Sequence, residues 1–304
     1  MRIHHLDCGP ARPPGGALMD GVSPGAIGRL SCHCLVIETD RHGVVLVDTG
    51  LGLRDVADPW GRLPWANIAV LRLRCDPDRT MAHHLRRLGL SPRDVRHIVM
   101  THLDFDHAGG LIDFPDAAIH LLDAEARAAR ARSGLLGRLR YRPAQWGDTT
   151  RWRTYPDRAG EDWFGFHAVR ALDGLPPEIL MVPLPGHSAG HAGVAVRGPR
   201  GWMLHAGDSY FNRAEIHDDP PHCPPGSAAY ESIMAWSGPL VRAQQRRLRA
   251  LAHDPNAPVV AFCTHDPVEY VAFAAWSEHQ GRAANENPAS PGGSTAAAAG
   301  AMPA

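Results

Sequence analysis

Four short apolar runs, each typical of a buried β-strand, end directly before histidine or aspartate residues. The first run leads into "THLDFDHAGG", which spans residues 101–110, and the later runs lead into "LPGHSAGH", "LHAGDS" and "FCTHD". Ligands and catalytic groups tend to lie on loops beyond strand ends, where a rigid sheet holds them. This pattern therefore predicts an α/β protein in which four strand ends bring polar residues to one site.

The residues at these strand ends have side chains that bind metal ions. Seven of them are candidate ligands: His102, Asp104, Asp106, His107, His187, Asp208 and His265. If they converge, they supply two metal ions with about three to four ligands each, which is normal for zinc and related metals. Taken alone, the first loop could instead be a solvated polar cluster in which Asp106 caps a helix. The three later strand ends make the metal site the better interpretation.

The remaining sequence predicts one catalytic domain over residues 1–278, with one segment of different character inside it. Residues 140–178 are rich in Trp, Arg, Pro and Gly and are typical of an irregular insertion. That insertion is either a lid over the site or an exposed loop without substrate contact. We expect single helices over residues 124–139 and 231–254. Residues 279–304 have low complexity and predict a disordered tail.

The composition limits the possible partners. A formal net charge of -1 over 304 residues argues against broad electrostatic binding of nucleic acid or of an anionic membrane surface. The N-terminus lacks the apolar core of a signal peptide, and no run approaches 18 apolar residues, so we expect a cytoplasmic protein. The six scattered cysteines do not suit a disulfide framework.

Taken together, the motifs resemble those of the metallo-β-lactamase-fold hydrolases, and within them the N-acyl homoserine lactonase-like branch. The matching elements are "VLVDTG", "THLDFDHAGG" for the family's THxHxDHxGG, "PGHSAGH", "AGDS" and the final "THD". The resemblance extends from about Cys32 to His265. It implies a four-layer αβ/βα sandwich with two divalent metal ions in a cleft between its two sheets. Zinc is the first expectation for these ions, with iron or manganese as alternatives.

Carried over position by position, the resemblance divides the seven residues into two ligand sets that share one carboxylate. They are His102, Asp104 and His187 for one metal, Asp106, His107 and His265 for the other, and Asp208 between them. The chain departs from the family at Asp104, where the family has histidine. A carboxylate is a harder, anionic ligand that favours iron or manganese more than imidazole does. The flavodiiron branch carries Glu at this position, which makes a diiron protein an alternative.

The resemblance implies a metal-dependent hydrolase in which a metal-bound hydroxide opens an ester-type bond, with a lactone as the leading substrate class. Either Asp106 or Asp208 is expected to accept and return the proton. Tyr210 lies near the position where related lactonases place a tyrosine that donates to the substrate carbonyl, although the spacing is not identical. His191 is expected to have a structural or supporting role.

Two further residues have expected supporting places. Asp48 is expected to hydrogen-bond the metal-site loops, as carboxylates behind metal ligands do, and His205 to lie in the core. Three alternative functions stay open beside the lactonase. They are a thioester hydrolase of the glyoxalase II type, an iron redox enzyme that is flavodiiron-like or persulfide dioxygenase-like, and a non-catalytic metal-binding protein. The expected partner is a small-molecule ester or lactone, and a homodimer is possible.

Overall fold

The computed structural model describes residues 1–198 and 201–286, which form two six-stranded mixed sheets. The strands of both sheets are arranged in chain order. The first sheet contains β1 (Arg2–Asp7), β2 (His33–Glu38), β3 (Val44–Val47), β4 (Val95–Val99), β5 (Ala118–Leu122) and β6 (Trp152–Tyr155). The second contains β7 (Glu161–Trp163), β8 (Phe166–Ala171), β9 (Ile179–Pro183), β10 (Ala192–Gly198), β11 (Gly201–His205) and β12 (Val259–Phe262).

Twelve α-helices cover the two sheets in the described part of the chain. The first six are α1 (Ala17–Asp20), α2 (Leu53–Ala57), α3 (Pro59–Arg62), α4 (Trp65–Leu71), α5 (Met81–Arg87) and α6 (Asp123–Ala131). The other six are α7 (Gly134–Arg140), α8 (Pro143–Trp146), α9 (Ala214–His217), α10 (Pro225–Met234), α11 (Gly238–Ala252) and α12 (Pro267–Glu286). None of the helices in these residues has the length and apolar character needed to cross a bilayer.

The two sheets pack face to face, and helices cover their outer faces. Residues 34–37 of β2 are all apolar because both faces of this strand are buried. Leu35 and Ile37 face the second sheet and share a core with Met181 of β9, whereas Val36 packs on the opposite side with Leu85 of α5. The predicted four-layer αβ/βα sandwich is therefore confirmed.

The strand directions bring the polar loops to one region. β9 and β11 both pair antiparallel with β10, and β12 pairs parallel with β11, so β9, β11 and β12 run in the same direction. In the first sheet β3 and β4 are parallel, so the loops that follow them leave the sheet at the same edge. The backbone N–H of Ala192 donates to the carbonyl of Thr101 (2.8 Å), which joins the two sheets beside these loops.

The prediction that residues 140–178 are irregular is wrong. This segment contains the short helix α8, strand β6 of the first sheet, and strands β7 and β8 of the second. Its buried positions lie three residues apart, at Trp152 and Tyr155 in β6 and at Phe166 and Val169 in β8. In β8 the positive φ of 59° at Ala168 interrupts the usual alternation. Because period-two alternation is the signal that identifies a strand, these strands could not be recognised from the sequence.

Two predicted helices are each divided in the structure. The helix expected over 124–139 is broken by Arg132, whose φ of 43° is left-handed, and continues as α7. The helix expected over 231–254 is interrupted between α10 and α11, where Ser237 is extended. The predicted tail from residue 279 begins inside α12, so residues 279–286 are helical rather than disordered. Residues 287–304 lie outside the described part of the chain.

Candidate metal centre

The loops after β4, β9, β11 and β12 bring all seven predicted ligands into one buried cluster. Six of them are less than one-tenth exposed, and Asp106 is half-buried. They fall into three overlapping groups in which the potential ligand atoms lie within 4.8 Å of one another. These groups are His102 with Asp104 and His187, His102 with His107 and Asp208, and Asp106 with His107 and His265.

Asp208 lies between the two ligand sets. Its Oδ2 is 3.1 Å from Nε2 of His265 and 3.6 Å from Nε2 of His187, and its Oδ1 is 3.4 Å from Nε2 of His107. One carboxylate therefore faces imidazoles from both sets. The backbone φ of 57° at Gly207 makes this turn possible, and a Cβ there would lie 2.5 Å from Nε2 of His191.

The chemistry of these atoms fits divalent metal ions. Nε2 of His102, Nε2 of His107 and Oδ1 of Asp208 are buried without a hydrogen-bond partner among the described residues. Buried polar atoms are normally paired, and a group of them that converges on one space suits a cation. Burial opposes protonation of His265, but the adjacent Asp208 outweighs it and raises the pKa of His265 to about 9. The cluster thus favours positive charge.

Hydrogen bonds from behind fix the orientation of the imidazoles. Nδ1 of His107 donates to Oδ2 of Asp48 (2.8 Å), and the same carboxyl group accepts from the backbone N–H and the hydroxyl of Thr101. Nδ1 of His265 donates to the carbonyl of Ser31 (2.8 Å). Such partners set the tautomer, so that Nε2 of each ring is available as a ligand atom. The expectation that Asp48 supports the metal-site loops is confirmed.

The two histidines that were expected outside the ligand sets lie where the sequence placed them. Nδ1 of His191 donates to the carbonyl of Leu184 (3.0 Å), and its Nε2 accepts the backbone N–H of Asp208 (2.9 Å). His191 therefore supports the turn that carries Asp208. His205 is fully buried, and its Nε2 donates to the carbonyl of His33 (2.6 Å). Both predictions are confirmed.

Glu125 of α6 joins two of the ligand loops and was missed by the sequence analysis. Its Oε1 accepts the backbone N–H of Leu103 (2.9 Å), and its Oε2 accepts the hydroxyl of Ser188 (2.6 Å) and the N–H of Gly190 (3.1 Å). This fully buried carboxyl group thus fixes the loop of His102 against the loop of His187. A Cβ on Gly190 would lie 2.0 Å from the Glu125 nitrogen, so the close approach requires glycine.

Asp104 faces two different partners. Its Oδ2 lies 3.1 Å from Nε2 of His187 and 3.6 Å from Nε2 of His102. Its Oδ1 lies 3.1 Å from Nη1 of Arg140, a residue that no sequence pattern places here. Burial would raise the pKa of Asp104, but Arg140 and the neighbouring histidines hold it well below its usual value. Asp104 is therefore a carboxylate.

Tyr210 does not face the cluster, which corrects the prediction that it contacts the substrate. Its side chain is fully buried under the second sheet, and its hydroxyl donates to Oε1 of Glu269 (3.0 Å). The left-handed turn at Gly207 rotates the following chain, so that Tyr210 points to the helix-covered face. Sequence distance from Asp208 cannot show this rotation.

A different tyrosine, Tyr230 of α10, lines the cleft that leads to the cluster. This narrow cleft, of about 10 Å³, is lined by Asp106 and His265 together with Phe211, Leu30 and Leu73. The phenol oxygen of Tyr230 accepts a hydrogen bond from Nδ2 of Asn67 (3.4 Å). Burial and the nearby carboxylates, Asp106 first among them, raise the pKa of Tyr230 well above its usual value. The phenol therefore keeps its proton.

A wider cleft of about 550 Å³ adjoins the narrow one and shares Ala11, Leu30 and Ser31 with it. Its walls combine apolar residues with three exposed arginines: Val22, Val268, Val271, Arg12, Arg29 and Arg79. The N-terminal segment and the start of α12 supply most of this surface. Residues 140–178 do not contribute to the walls of either cleft in the described part of the chain.

Comparisons with known proteins agree with this geometry. The Metallo-beta-lactamase superfamily model matches residues 27–261. A probable metallo-hydrolase of Mycobacterium tuberculosis is 40% identical over 273 residues, which are 89% of this chain and 82% of that protein. An N-acyl homoserine lactonase of Bacillus cereus is 27% identical over 233 residues, which are 74% of this chain and 82% of that protein.

The fold is also found among solved structures. An N-acyl homoserine lactone hydrolase, solved with the product N-hexanoyl-L-homoserine bound at its catalytic metal centre, superposes with a TM-score of 0.65. The two chains are 20% identical, and the match covers 88% of this chain and 94% of the other.

Proposed function

The chain belongs to the metallo-β-lactamase superfamily of metallo-hydrolases, and from that premise we propose that it is a metal-dependent lactonase. The observation that carries the proposal is the pair of ligand sets with Asp208 between them, two of whose members, Asp106 and His265, line a narrow and mostly apolar cleft. The proposal assigns one divalent ion to His102, Asp104 and His187 and a second to Asp106, His107 and His265. Zinc is the first expectation, with iron or manganese as alternatives.

Bound metal ions of this kind polarise a carbonyl oxygen and lower the pKa of bound water from about 15.7 to about 7. The proton transfer is assigned to a residue of the chain. Asp106 lies where the cleft meets the cluster, so its carboxylate can take a proton from the attacking water. Water adds to the lactone carbonyl carbon, the ring C–O bond breaks, and the proton passes to the departing alcohol oxygen. The product is a hydroxy acid.

The cleft supports a substrate with an apolar part. Leu30, Leu71, Leu73 and Phe211 line the narrow cleft beside Asp106 and His265, and Leu30 also lines the wider cleft of about 550 Å³, which has room for a substrate chain. Each CH₂ group of a substrate chain that is buried there contributes up to about 0.8 kcal/mol, or about fourfold in binding. The two lactone-cleaving relatives act on substrates with an acyl chain by their names, which agrees with such a cleft.

The experiment that tests the function is lactone ring opening, followed by the acid it releases with a pH indicator. The metal-stripped protein is reconstituted separately with zinc, manganese and iron and given acyl homoserine lactones of several chain lengths and simple γ-lactones. We expect ring opening that depends on added metal, is abolished by a chelator, and increases with acyl chain length.

Two further assays distinguish the lactonase from the alternative enzymes. A glutathione thioester tests the glyoxalase II type of activity, and oxygen uptake with a reductant tests iron redox chemistry. Thioester cleavage or oxygen uptake without lactone opening would contradict the lactonase proposal while leaving a metal-dependent enzyme in place. The predictions of a cytoplasmic location and of a homodimer stay predictions.

Tyr230 is proposed to donate its phenolic proton to the substrate carbonyl or to the developing oxyanion. Loss of one such donor typically lowers kcat by about 10²–10³-fold, and about tenfold is expected here because the metals share the task. We therefore expect Tyr230→Phe to lower kcat of lactone opening about tenfold with unchanged metal content. Tyr210→Phe is the matched control, because its hydroxyl contacts Glu269 behind the sheet. Equal losses of kcat in both variants would refute the role.

A further inference from the structure

The ion pair between Asp104 and Arg140 is built into the interior of the protein. Both side chains are at most 4% exposed, and Arg140 is the only buried arginine in the described residues. Arg140 is the last residue of α7, and its Nη2 donates to the carbonyl of Met234, the last residue of α10. A cation at a helix C-terminus is favoured by the exposed carbonyls there. The guanidinium is thus held in place from two helices.

The two oxygens of Asp104 are divided between different partners. Oδ2 faces Nε2 of His187 and Nε2 of His102, whereas Oδ1 faces Nη1 of Arg140. The side of the carboxylate that would meet a metal ion therefore offers one oxygen, because the other forms an ion pair with the guanidinium at 3.1 Å. Arg140 also adds one positive charge at the place where Asp104 adds one negative charge.

The net charge of the first ligand set can be compared with that of the three histidines in the motif that the chain resembles. A set of three neutral histidines carries no charge, and so does a set of two neutral histidines, one carboxylate and one guanidinium. A buried charge without a partner is strongly unfavourable, so neither member of the pair can be replaced alone without a penalty. Asp104 and Arg140 together, rather than Asp104 alone, take the place of the missing histidine.

We propose that Arg140 is a positioning residue for the first metal: it balances the charge of Asp104 and restricts this carboxylate to one ligand oxygen. The proposal rests on the ligand assignment made under the proposed function. Restoring histidine at position 104 weakens metal binding, because the guanidinium is then unpaired and repels the cation. Removing Arg140 as well restores it.

The experiment is a double-mutant cycle on the full chain, with Asp104→His, Arg140→Met and the double variant. Each protein is stripped of metal, and its affinity for zinc is measured by competition with a chromophoric chelator. Cobalt is then added, since its visible absorption spectrum reports the ligands and their number. Neither readout needs a substrate, so the result is independent of whether the protein opens lactones.

We expect Asp104→His to lower the zinc affinity of the first metal site at least about tenfold. The double variant is expected to return to within about threefold of the wild type, which is far outside additive behaviour. Arg140→Met alone is expected to change the cobalt spectrum, because both oxygens of Asp104 become available. Arg140→Lys, which keeps the charge, is expected to keep the zinc stoichiometry of the wild type.

A matched control comes from another arginine that pairs with a fully buried carboxylate. Nε of Arg62 lies 2.7 Å from Oδ1 of Asp55, and neither residue belongs to the ligand sets. Arg62→Met is expected to leave zinc affinity within about twofold of the wild type. The proposal is overturned if Asp104→His binds zinc as well as the wild type or no worse than the double variant. It is also overturned if Arg140→Met leaves the cobalt spectrum unchanged, or if Arg140→Met alone fails to fold while Arg140→Lys loses a zinc ion.

Discussion

Asp208→Asn is expected to abolish most lactone opening and to release at least one metal ion from the protein. Asp208 is the carboxylate that faces both ligand sets, with Nε2 of His265 at 3.1 Å and Nε2 of His107 at 3.4 Å. An asparagine side chain offers one neutral oxygen and places an NH₂ group toward an imidazole or a cation. Metal-based stabilisation of the transition state amounts to several kcal/mol, so kcat/KM should fall by about 10²–10³-fold or more.

Metal content by elemental analysis and ring opening by pH indicator check this prediction. Asp116→Asn is a suitable control, because Asp116 is exposed on the loop before β5. This substitution removes the same charge from the chain. The control should keep both metals and full activity. If Asp208→Asn retained the metal content and the turnover of the wild type, the placement of Asp208 between the two metals would be wrong.

Glu125→Gln is expected to destabilise the fold and to loosen the metal centre at the same time. The three donors that converge on the Glu125 carboxyl group come from Leu103, Ser188 and Gly190. A glutamine turns an NH₂ group toward at least one of these donors, which leaves buried groups unpaired. We expect a loss of about 2–4 kcal/mol in the free energy of unfolding. Metal affinity should fall about 10–100-fold, as is typical when a group behind the ligands is lost.

Chemical denaturation of the metal-stripped and metal-loaded proteins measures the two effects separately. Glu161→Gln is the control, since Glu161 is exposed in β7 and its replacement should change stability by less than about 0.5 kcal/mol. A Glu125→Gln protein with unchanged stability in the metal-stripped state would contradict the view that this residue holds the two loops together.

The positions of the ligand loops were predictable because they depend on local rules. A strand ends where the apolar run ends, and the polar residue that follows must leave the sheet. His102, His187, Asp208 and His265 each follow such a run, and the structure brings them within one cluster. The supporting role of Asp48 was predictable for the same reason, because it directly follows β3, which pairs with β4.

The groups around the ligands were not predictable, because they depend on how distant elements pack. Arg140 is one of many arginines in an Arg- and Ala-rich segment, where an exposed side chain is the usual expectation. Only the packing of α7 against the end of α10 places it at Asp104. Glu125 gave no signal in the sequence either, since its three donors are backbone and hydroxyl groups of separate loops.

By itself the sequence determined which seven residues converge, since strand-end residues are encoded locally. Its motifs identified the family, and that resemblance implied the four-layer sandwich. Tertiary structure alone decided which tyrosine faces the cleft, because a single left-handed turn at Gly207 directs Tyr210 away and α10 supplies Tyr230. It also decided the charge of the first ligand set. The carboxylate of Asp104 is visible in the sequence, but the guanidinium that balances it arrives from a helix 36 residues later, and no sequence period records that contact.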